Sequence, residues 1–232
     1  MTDPTTQRPG IAGGTSPHSA SANVRSVEHQ VTAIERRSRA EHAGAVVWLT
    51  GLPGAGKSTL AMALERALFD RGWSVYAIDG DNLRRGLSAD LGFMDADRKE
   101  NIRRVGAVAA MFADAGLICV TAVVAPFADD RRQARVAAGG RPFFEVHVRA
   151  DLAVCERRDP KGLYALARSG KLQHMTGIDS PYERPENPDL VVDTQQASAA
   201  ECVALLVDFV VANCRLGDSR PDRSTSGDTS NG

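Results

Sequence analysis

One short segment constrains the fold of this chain more than any other. Residues 51–58, GLPGAGKS, match the phosphate-binding pattern G-x-x-x-x-G-K-[ST] at every fixed position. An apolar run, residues 45–50, precedes the segment, and a stretch with helical period, residues 57–71, follows it. Glycines let several backbone N–H groups point at one phosphate, and a helix N-terminus adds partial positive charge. The segment predicts a nucleoside triphosphate site but does not identify the group that receives the phosphate.

The same pattern assigns individual roles. Lys57 is expected to reach the β- and γ-phosphates and to assist catalysis, and the Ser58 hydroxyl is expected to ligate Mg²⁺. The predicted cofactors are therefore ATP and Mg²⁺. The residues predicted to bind the nucleotide within this segment and just after it are Gly51, Gly54, Ala55, Gly56, Lys57, Ser58 and Thr59.

Apolar runs alternate with stretches of helical period along most of the chain. The predicted strands are residues 45–50, 73–78, 117–124, 143–148 and 190–192. The predicted helices lie within residues 24–42, 57–71, 97–115, 129–138, 151–158, 160–170 and 197–214. Long crossovers between consecutive strands are typical of parallel sheets. We therefore predict an α/β fold, with a parallel five-stranded sheet sandwiched by helices in three layers.

Composition separates the two ends from the middle of the chain. Residues 1–26 and 217–232 are rich in Ser, Thr and Gly and show no periodic apolar face, which predicts disordered tails. The single domain is expected to span residues 27–216.

Charge and cysteine usage exclude several classes of partner. A net charge of −1 provides no basic field for nucleic acid or an anionic membrane. No apolar stretch reaches the roughly 18–20 residues that cross a bilayer. The cysteines form no C-x-x-C pair and lie in apolar patterns, which predicts buried free thiols in a reducing cytoplasm. They are Cys119, Cys155, Cys202 and Cys214.

Two carboxylates follow the second predicted strand, in residues 79–84, DGDNLR. The carboxyl edge of such a sheet is where ligands bind, so Asp79 and Asp81 are expected to face the γ-phosphate. One carboxylate would accept the proton of the acceptor hydroxyl, and the other would hold the metal ion. Arg84 would supply a fork-shaped donor for an anionic acceptor. The alternative is a plain Asx turn in a surface loop.

The next segment carries an aromatic residue and a charged helix. Phe93 lies in a Gly-flanked loop and is a candidate for stacking on a base. Arg98 and Asn101 are three residues apart and share a helix face, which suits a phosphate or sulfate. A solvated helix face is the alternative for this charge-rich stretch.

A possible lid follows the fourth predicted strand, at about residues 157–180. Residues 159–164, DPKGLY, contain the Pro and Gly that break a helix. Arg157, Arg158 and Lys161 are expected to close over the triphosphate. The alternative is a simple connector between two helices.

The class of nucleotide enzyme can be narrowed by elimination. The chain has no N-K-x-D stretch, which a switch GTPase uses to recognise its base, and no apolar run that ends in the Asp-Glu pair of a motor ATPase. A small-molecule kinase, in which a bound hydroxyl attacks the phosphate, remains the favoured class.

Together these segments resemble the adenylylsulfate (APS) kinase family over about residues 27–195. The resemblance rests on GLPGAGKST, DGDNLR, DLGF, DRKENIRR, FADAGL, RDPKGLY, TGIDSPYE and PENP. It implies a P-loop kinase, usually a homodimer, that transfers the γ-phosphoryl group of MgATP to the 3′-hydroxyl of APS and yields PAPS. It also implies that Asp81 is the general base, which leaves Asp79 as the carboxylate expected to hold the metal. Arg157 and Lys161 of the predicted lid are the further residues expected to bind ATP. The implied APS-binding residues are Arg84, Phe93, Arg98 and Asn101. The residues predicted to bind the acceptor also include Asp81, Lys171 and Met175.

The sequence departs from the family pattern at three places. Residues 125–128 read APFA where the family usually has Ser-Pro-aromatic-Arg, Met175 replaces a Phe, and Ala165 and Leu166 replace lysines. These changes keep open a phosphotransferase of this fold that acts on another hydroxyl, in a nucleoside, sugar or aminoglycoside-type natural product. A non-catalytic nucleotide-binding regulatory module is a further alternative, against which the intact Lys57, Ser58 and Asp81 argue.

Overall fold

The computed structural model describes Arg25 and residues 27–216. The chain divides into two compact units, Met1–Gln30 and Val31–Gly232, and every helix and strand given below belongs to the second. Apart from Arg25, the two predicted disordered tails lie outside the described residues. Their disorder, and the domain limits at residues 27 and 216, therefore stay predictions.

The described residues form eight helices and five strands. In chain order they are α1 (Ala33–Ala40), β1 (Ala45–Thr50), α2 (Lys57–Phe69), β2 (Val75–Asp79), α3 (Gly80–Leu83), α4 (Asp95–Asp114), β3 (Ile118–Ala122), α5 (Ala128–Ala137), β4 (Phe143–Arg149), α6 (Leu152–Arg158), α7 (Leu163–Arg168), β5 (Leu190–Asp193) and α8 (Ala199–Cys214). The predicted five-stranded parallel sheet is confirmed, and its strands end within two residues of the predicted limits.

The sheet has the strand order β2-β3-β1-β4-β5, with every neighbouring pair parallel. Strand β1 is central, and its two neighbours β3 and β4 come later in the chain. Consecutive strands β1 and β2 are therefore separated in space by β3. This order opens a crevice at the carboxyl end of β1, where a ligand can enter.

Burial on both faces explains the continuous apolar character of β1. Val47 and Leu49 join the core between the sheet and helices α2 and α8, whereas Val46 and Trp48 join the core on the side of α4 and α5. All six residues of the strand are buried. A strand covered by helices on both faces loses the apolar–polar alternation of a half-exposed strand.

Side-chain caps explain two differences between the observed helices and those predicted from the sequence. Helix α1 covers only the second half of the predicted residues 24–42, since Thr32 and Glu35 form a reciprocal capping box that starts the helix. The short helix α3 was not predicted at all. It begins because the Asp79 side chain accepts a hydrogen bond from the Asp81 N–H group at 2.9 Å.

Strand β2 forms one edge of the sheet, and a side chain covers part of that edge. The Ala77 N–H group donates to Glu65 Oε1 of α2 at 2.7 Å, rather than to a neighbouring strand. The neighbouring Tyr76 is about half exposed and stacks on Phe112, with ring centroids 5.2 Å apart.

The cysteines and the helices agree with two further expectations. All four cysteines are free and buried, as predicted. Within the part of the chain that the structure describes, none of the helices combines the length and apolar character that a membrane span requires.

Gly44 provides a test of how tightly the sheet packs on α4. A Cβ atom at this position would lie 2.0 Å from the Ala113 carbonyl oxygen, whereas a Cβ atom at Gly86 would meet nothing within 4 Å. We expect Gly44→Ala to lower the free energy of unfolding by about 2–4 kcal/mol, because backbone must move to accommodate the methyl group. Gly86→Ala should change it by less than about 1 kcal/mol. Urea unfolding of both variants checks this, and equal midpoints would contradict it.

Candidate active site

A cavity of about 980 Å³ opens at the carboxyl ends of β1, β2 and β3. Its volume is at the upper end of the roughly 300–1,000 Å³ that ligand sites usually have. The structure brings most of the predicted site residues to its walls, namely Gly54, Gly56, Lys57, Ser58, Thr59, Asp79, Asp81, Arg84, Phe93, Arg98, Asn101, Lys161 and Met175. Residues predicted from separate segments therefore share one space.

Four predicted residues do not line this cavity. Gly51 and Ala55 belong to the phosphate loop but are buried behind its inner surface. Arg157 and Lys171 are exposed outside the cavity. Arg158, the next residue along α6, lines the cavity instead of Arg157. The binding roles of Arg157 and Lys171 stay predictions.

The phosphate loop, residues 51–58, curls around the buried side chain of Lys57. Gly54 and Gly56 have φ angles of +79° and +102°, which other residues rarely adopt. Lys57 Nζ donates to the carbonyl oxygens of Gly51 and Leu52 at 2.8 and 2.9 Å. Burial lowers the pKa of Lys57 to about 8, since little water remains to solvate the ammonium group. An anion in the loop would therefore be strongly favoured.

Ser58 and Asp79 form a pair at the end of β2. The Ser58 hydroxyl donates to Asp79 Oδ2 at 2.6 Å, and the carboxylate is largely buried. Hydroxyl and carboxylate oxygens are the hard donors that Mg²⁺ prefers when phosphates supply further ligands. The donor set therefore fits Mg²⁺ bound together with a nucleotide. Among the residues that the structure describes, no cluster of three His, Cys, Asp or Glu side chains forms a separate metal site.

Asp81 points across the cavity mouth to the predicted lid. Its carboxylate pairs with the ammonium group of Lys161, and both side chains are more than half exposed. Lys161 follows Pro160 in the segment between α6 and α7. The Asp81 carboxylate in α3 and the Lys161 ammonium group of the predicted lid are therefore in direct contact, although the two residues are 80 positions apart in the chain.

Two arginines hold the loop that carries Phe93. The Arg84 guanidinium lies 4.2 Å from the Phe93 ring centroid and donates to the Leu91 and Gly92 carbonyl oxygens. Arg98 Nε donates to the Phe93 carbonyl oxygen at 2.8 Å. Burial, followed by the charge of Arg98, lowers the pKa of Arg84. Two partly buried cations near each other favour an anion between them.

Arg98 also connects α4 to the segment after α7. Its guanidinium donates to the Thr176 hydroxyl and to the His174 carbonyl oxygen. The Asp179 carboxylate accepts the backbone N–H groups of His174 and Met175, which fixes this turn. The turn places Met175 in the cavity wall, where its side chain is almost fully buried.

The loop after β3, where the sequence departs from the family pattern, is held by two residues that the sequence analysis missed. Ala125 lines the cavity with a φ angle of +43°, and its carbonyl oxygen accepts from Arg131 Nη1 at 2.8 Å. Glu183 accepts the Ala128 N–H group at 2.6 Å, and its own N–H group donates to the Pro126 carbonyl oxygen at 2.8 Å. The backbone of this loop is therefore fixed without the serine and arginine of the pattern.

Comparison with known proteins agrees with this geometry. A protein-family model for adenylylsulphate kinase matches residues 43–193. The adenylyl-sulfate kinase of Bacillus velezensis is 50% identical over 183 residues, which cover 79% of this chain and 93% of the relative. The adenylyl-sulfate kinase of Bacillus pumilus is 51% identical with the same coverage. The chain belongs to the adenylylsulfate kinase family.

A solved structure from the adenylylsulfate kinase family supports the same assignment. The APS kinase of Mycobacterium tuberculosis, determined in complex with AMPPNP and APS, is 50% identical and superimposes with a TM-score of 0.70. The match covers 72% of this chain and 97% of that structure. The predicted P-loop kinase fold and the resemblance drawn from the sequence are both confirmed.

The lowered pKa of Lys57 predicts a pH dependence of nucleotide binding. Above pH 8 the ammonium group of the free chain loses its proton, whereas a bound phosphate favours the charged form. We expect the affinity for ADP to fall about fivefold between pH 8 and pH 9, with proton uptake on binding. The phosphates of ADP contribute little to this change, because they are already ionised there.

Isothermal titration calorimetry in buffers of different ionisation enthalpy measures both the affinity and the proton uptake. Lys57→Arg is the control, since a guanidinium stays charged over this range and should remove the pH dependence. An ADP affinity that is constant from pH 7 to pH 9 in the unmodified chain would contradict the prediction.

Proposed function

We propose that this chain transfers the γ-phosphoryl group of MgATP to the 3′-hydroxyl of APS and so forms PAPS. The observation that carries the proposal is the shared cavity, in which the phosphate loop, Asp81 and the Arg84–Arg98 pair lie together. The family membership specifies which acceptor such a cavity serves. The enzyme is accordingly an ATP-dependent phosphotransferase with an alcohol group as acceptor.

The phosphate loop and the Ser58–Asp79 pair form the ATP side of the site. Lys57 and the inward N–H groups of the loop bind the phosphates and hold the γ-phosphate at the cavity floor. Ser58 and Asp79 would hold Mg²⁺, which neutralises phosphate charge when it is bound.

Asp81 is the proposed general base. In the free chain its carboxylate is engaged by the ammonium group of Lys161. An incoming triphosphate offers Lys161 a stronger anionic partner. Arrival of ATP would then draw the lid lysine from Asp81 and free the carboxylate to take the proton of the acceptor hydroxyl.

Arg84, Arg98 and Phe93 form the acceptor side of the site. The two guanidinium groups suit the negative phosphate–sulfate group of APS, and the exposed Phe93 ring offers a stacking surface for its adenine. Asn101 Oδ1 is buried in the cavity wall and has no hydrogen-bond partner among the described residues, so it is available to accept a hydrogen bond from the acceptor.

Two further features of the enzyme are part of the proposal. The family resemblance suggests a homodimer, which size-exclusion chromatography with light scattering would test. The four buried, free cysteines suit a reducing cytoplasm, which fractionation of cells that express the chain would test.

The acceptor is tested by a coupled assay of ADP release with MgATP. APS is compared with nucleosides, sugars and aminoglycosides at equal concentration. Saturable turnover at micromolar APS is the expected result. Turnover on another alcohol without a response to APS would refute the proposed acceptor and favour a retuned phosphotransferase. If the chain binds ATP but turns over none of these acceptors, the result would favour a non-catalytic regulatory module.

Asp81→Asn tests the proposed base. The amide cannot accept the proton, so we expect kcat with APS to fall by about 10²- to 10⁴-fold. Binding of ADP should persist, because the phosphate loop is unchanged and Lys161 loses a competing anion. Asp70→Asn is a matched control, since Asp70 is also an exposed carboxylate that pairs with a cation, Arg66, but lies outside the cavity. A kcat for Asp81→Asn within threefold of the unmodified enzyme would assign the base elsewhere.

A further inference from the structure

Every carbonyl oxygen of the phosphate loop from residue 51 to residue 55 has a hydrogen-bond donor. Lys57 Nζ donates to the carbonyl oxygens of Gly51 and Leu52. The Tyr164 hydroxyl donates to the Pro53 carbonyl oxygen at 2.9 Å, and Thr194 Oγ1 donates to the Ala55 carbonyl oxygen at 2.8 Å. Arg158 Nη1 reaches the Gly54 carbonyl oxygen at 3.5 Å.

The direction of a carbonyl group fixes the direction of the next N–H group. In a planar trans peptide the C=O bond of one residue and the N–H bond of the following residue point in opposite directions. Tyr164 therefore orients the N–H group of Gly54 through Pro53, and Thr194 orients that of Gly56 through Ala55. Gly54 and Gly56 both line the cavity in which phosphate would bind.

Tyr164 is itself held firmly in place. It lies in α7, is 2% exposed and belongs to the cavity wall. The Asp159 carboxylate accepts the N–H groups of Tyr164 and Ala165 at 3.2 and 3.0 Å. The DPKGLY segment thus has a second effect besides presenting Lys161, since its Asp fixes the helix whose Tyr reaches the loop.

Thr194 is held by backbone and side-chain contacts on the other side of the loop. It directly follows β5, and its N–H group donates to the Arg149 carbonyl oxygen at 3.0 Å. Arg158 donates to the Thr194 carbonyl oxygen at 2.6 Å and to its hydroxyl oxygen at 3.0 Å. The hydroxyl therefore accepts from Arg158 while it donates to the loop, which fixes its orientation.

We propose that Tyr164 and Thr194 are positioning residues of the phosphate site, which hold the loop carbonyl groups outward so that the N–H groups of Gly54 and Gly56 face the nucleotide phosphates. Neither side chain needs to touch the transferred phosphate. The inference rests on the proposed use of ATP but not on the identity of the acceptor.

The test removes one hydroxyl at a time and measures nucleotide binding without an acceptor. Tyr164→Phe and Thr194→Val keep the size of each side chain and delete its donor. By calorimetry, each variant should bind ADP about tenfold more weakly, as the loss of one oriented hydrogen bond implies. AMP lacks the β-phosphate that the loop receives, so its affinity should fall by no more than about twofold.

Matched variants separate this effect from a general loss of stability. Thr194→Ser keeps the hydroxyl and should restore ADP binding to within about twofold of the unmodified chain. Tyr182→Phe deletes the hydroxyl of a partly buried tyrosine, which lies 3.1 Å from Thr50 Oγ1 and does not contact a loop carbonyl. It should leave the ADP-to-AMP ratio of affinities unchanged.

Two outcomes would overturn the proposal. One is unchanged ADP affinity in both Tyr164→Phe and Thr194→Val. The other is an equal loss for ADP and AMP, which would indicate a merely structural role for the two hydroxyls. Both outcomes are independent of the APS assay, so failure of the proposed acceptor and failure of this inference can be told apart.

Discussion

A buried ammonium group is unfavourable unless an anion or several oxygen atoms lie beside it, and Lys57 places such a group beneath the phosphate loop. Two loop carbonyl oxygens satisfy its donors in part, but they carry no full negative charge. A bound phosphate would supply the negative charge that offsets the remaining cost of burying the ammonium group. Strand β1, buried on both faces, provides the rigid support from which the loop can hold this charge in place. The rest of the cavity is arranged around that position.

The two halves of the cavity recognise anions by different means. On the ATP side the proposed donors are mostly backbone N–H groups, whose positions depend on φ angles and on the partners of the opposing carbonyls. On the acceptor side the donors are the side chains of Arg84 and Arg98, which in the free chain bind carbonyl oxygens of two loops. An acceptor must therefore replace some of these contacts when it binds. Asp81 lies in the cavity wall and pairs with Lys161 in the free chain.

Local pattern in the sequence was enough to predict the sheet and the phosphate loop, and most of the predicted site residues line one cavity. Such features depend on periodicity and on motifs whose members are close in sequence. Helix α3 was missed because it depends on one side-chain cap, at Asp79. The Tyr164–Pro53 and Thr194–Ala55 contacts join residues 111 and 139 positions apart, and no local pattern encodes them. Thr194 could have been suspected from its place directly after a strand, at the ligand-binding edge of the sheet. Likewise, composition cannot decide which of the adjacent Arg157 and Arg158 faces inward, because that depends on the exact end of α6.

The edge of the sheet at β2 has a consequence for how copies of the enzyme associate. An unpaired edge strand offers N–H and C=O groups to any other extended chain, which leads to aggregation by sheet extension. The Glu65 carboxylate accepts the hydrogen bond of the Ala77 N–H group and places a negative charge at this edge. A second strand that approached would have to displace that carboxylate and leave it without a partner. One side chain of a neighbouring helix thus opposes growth of the sheet into a continuous ribbon of molecules at this edge.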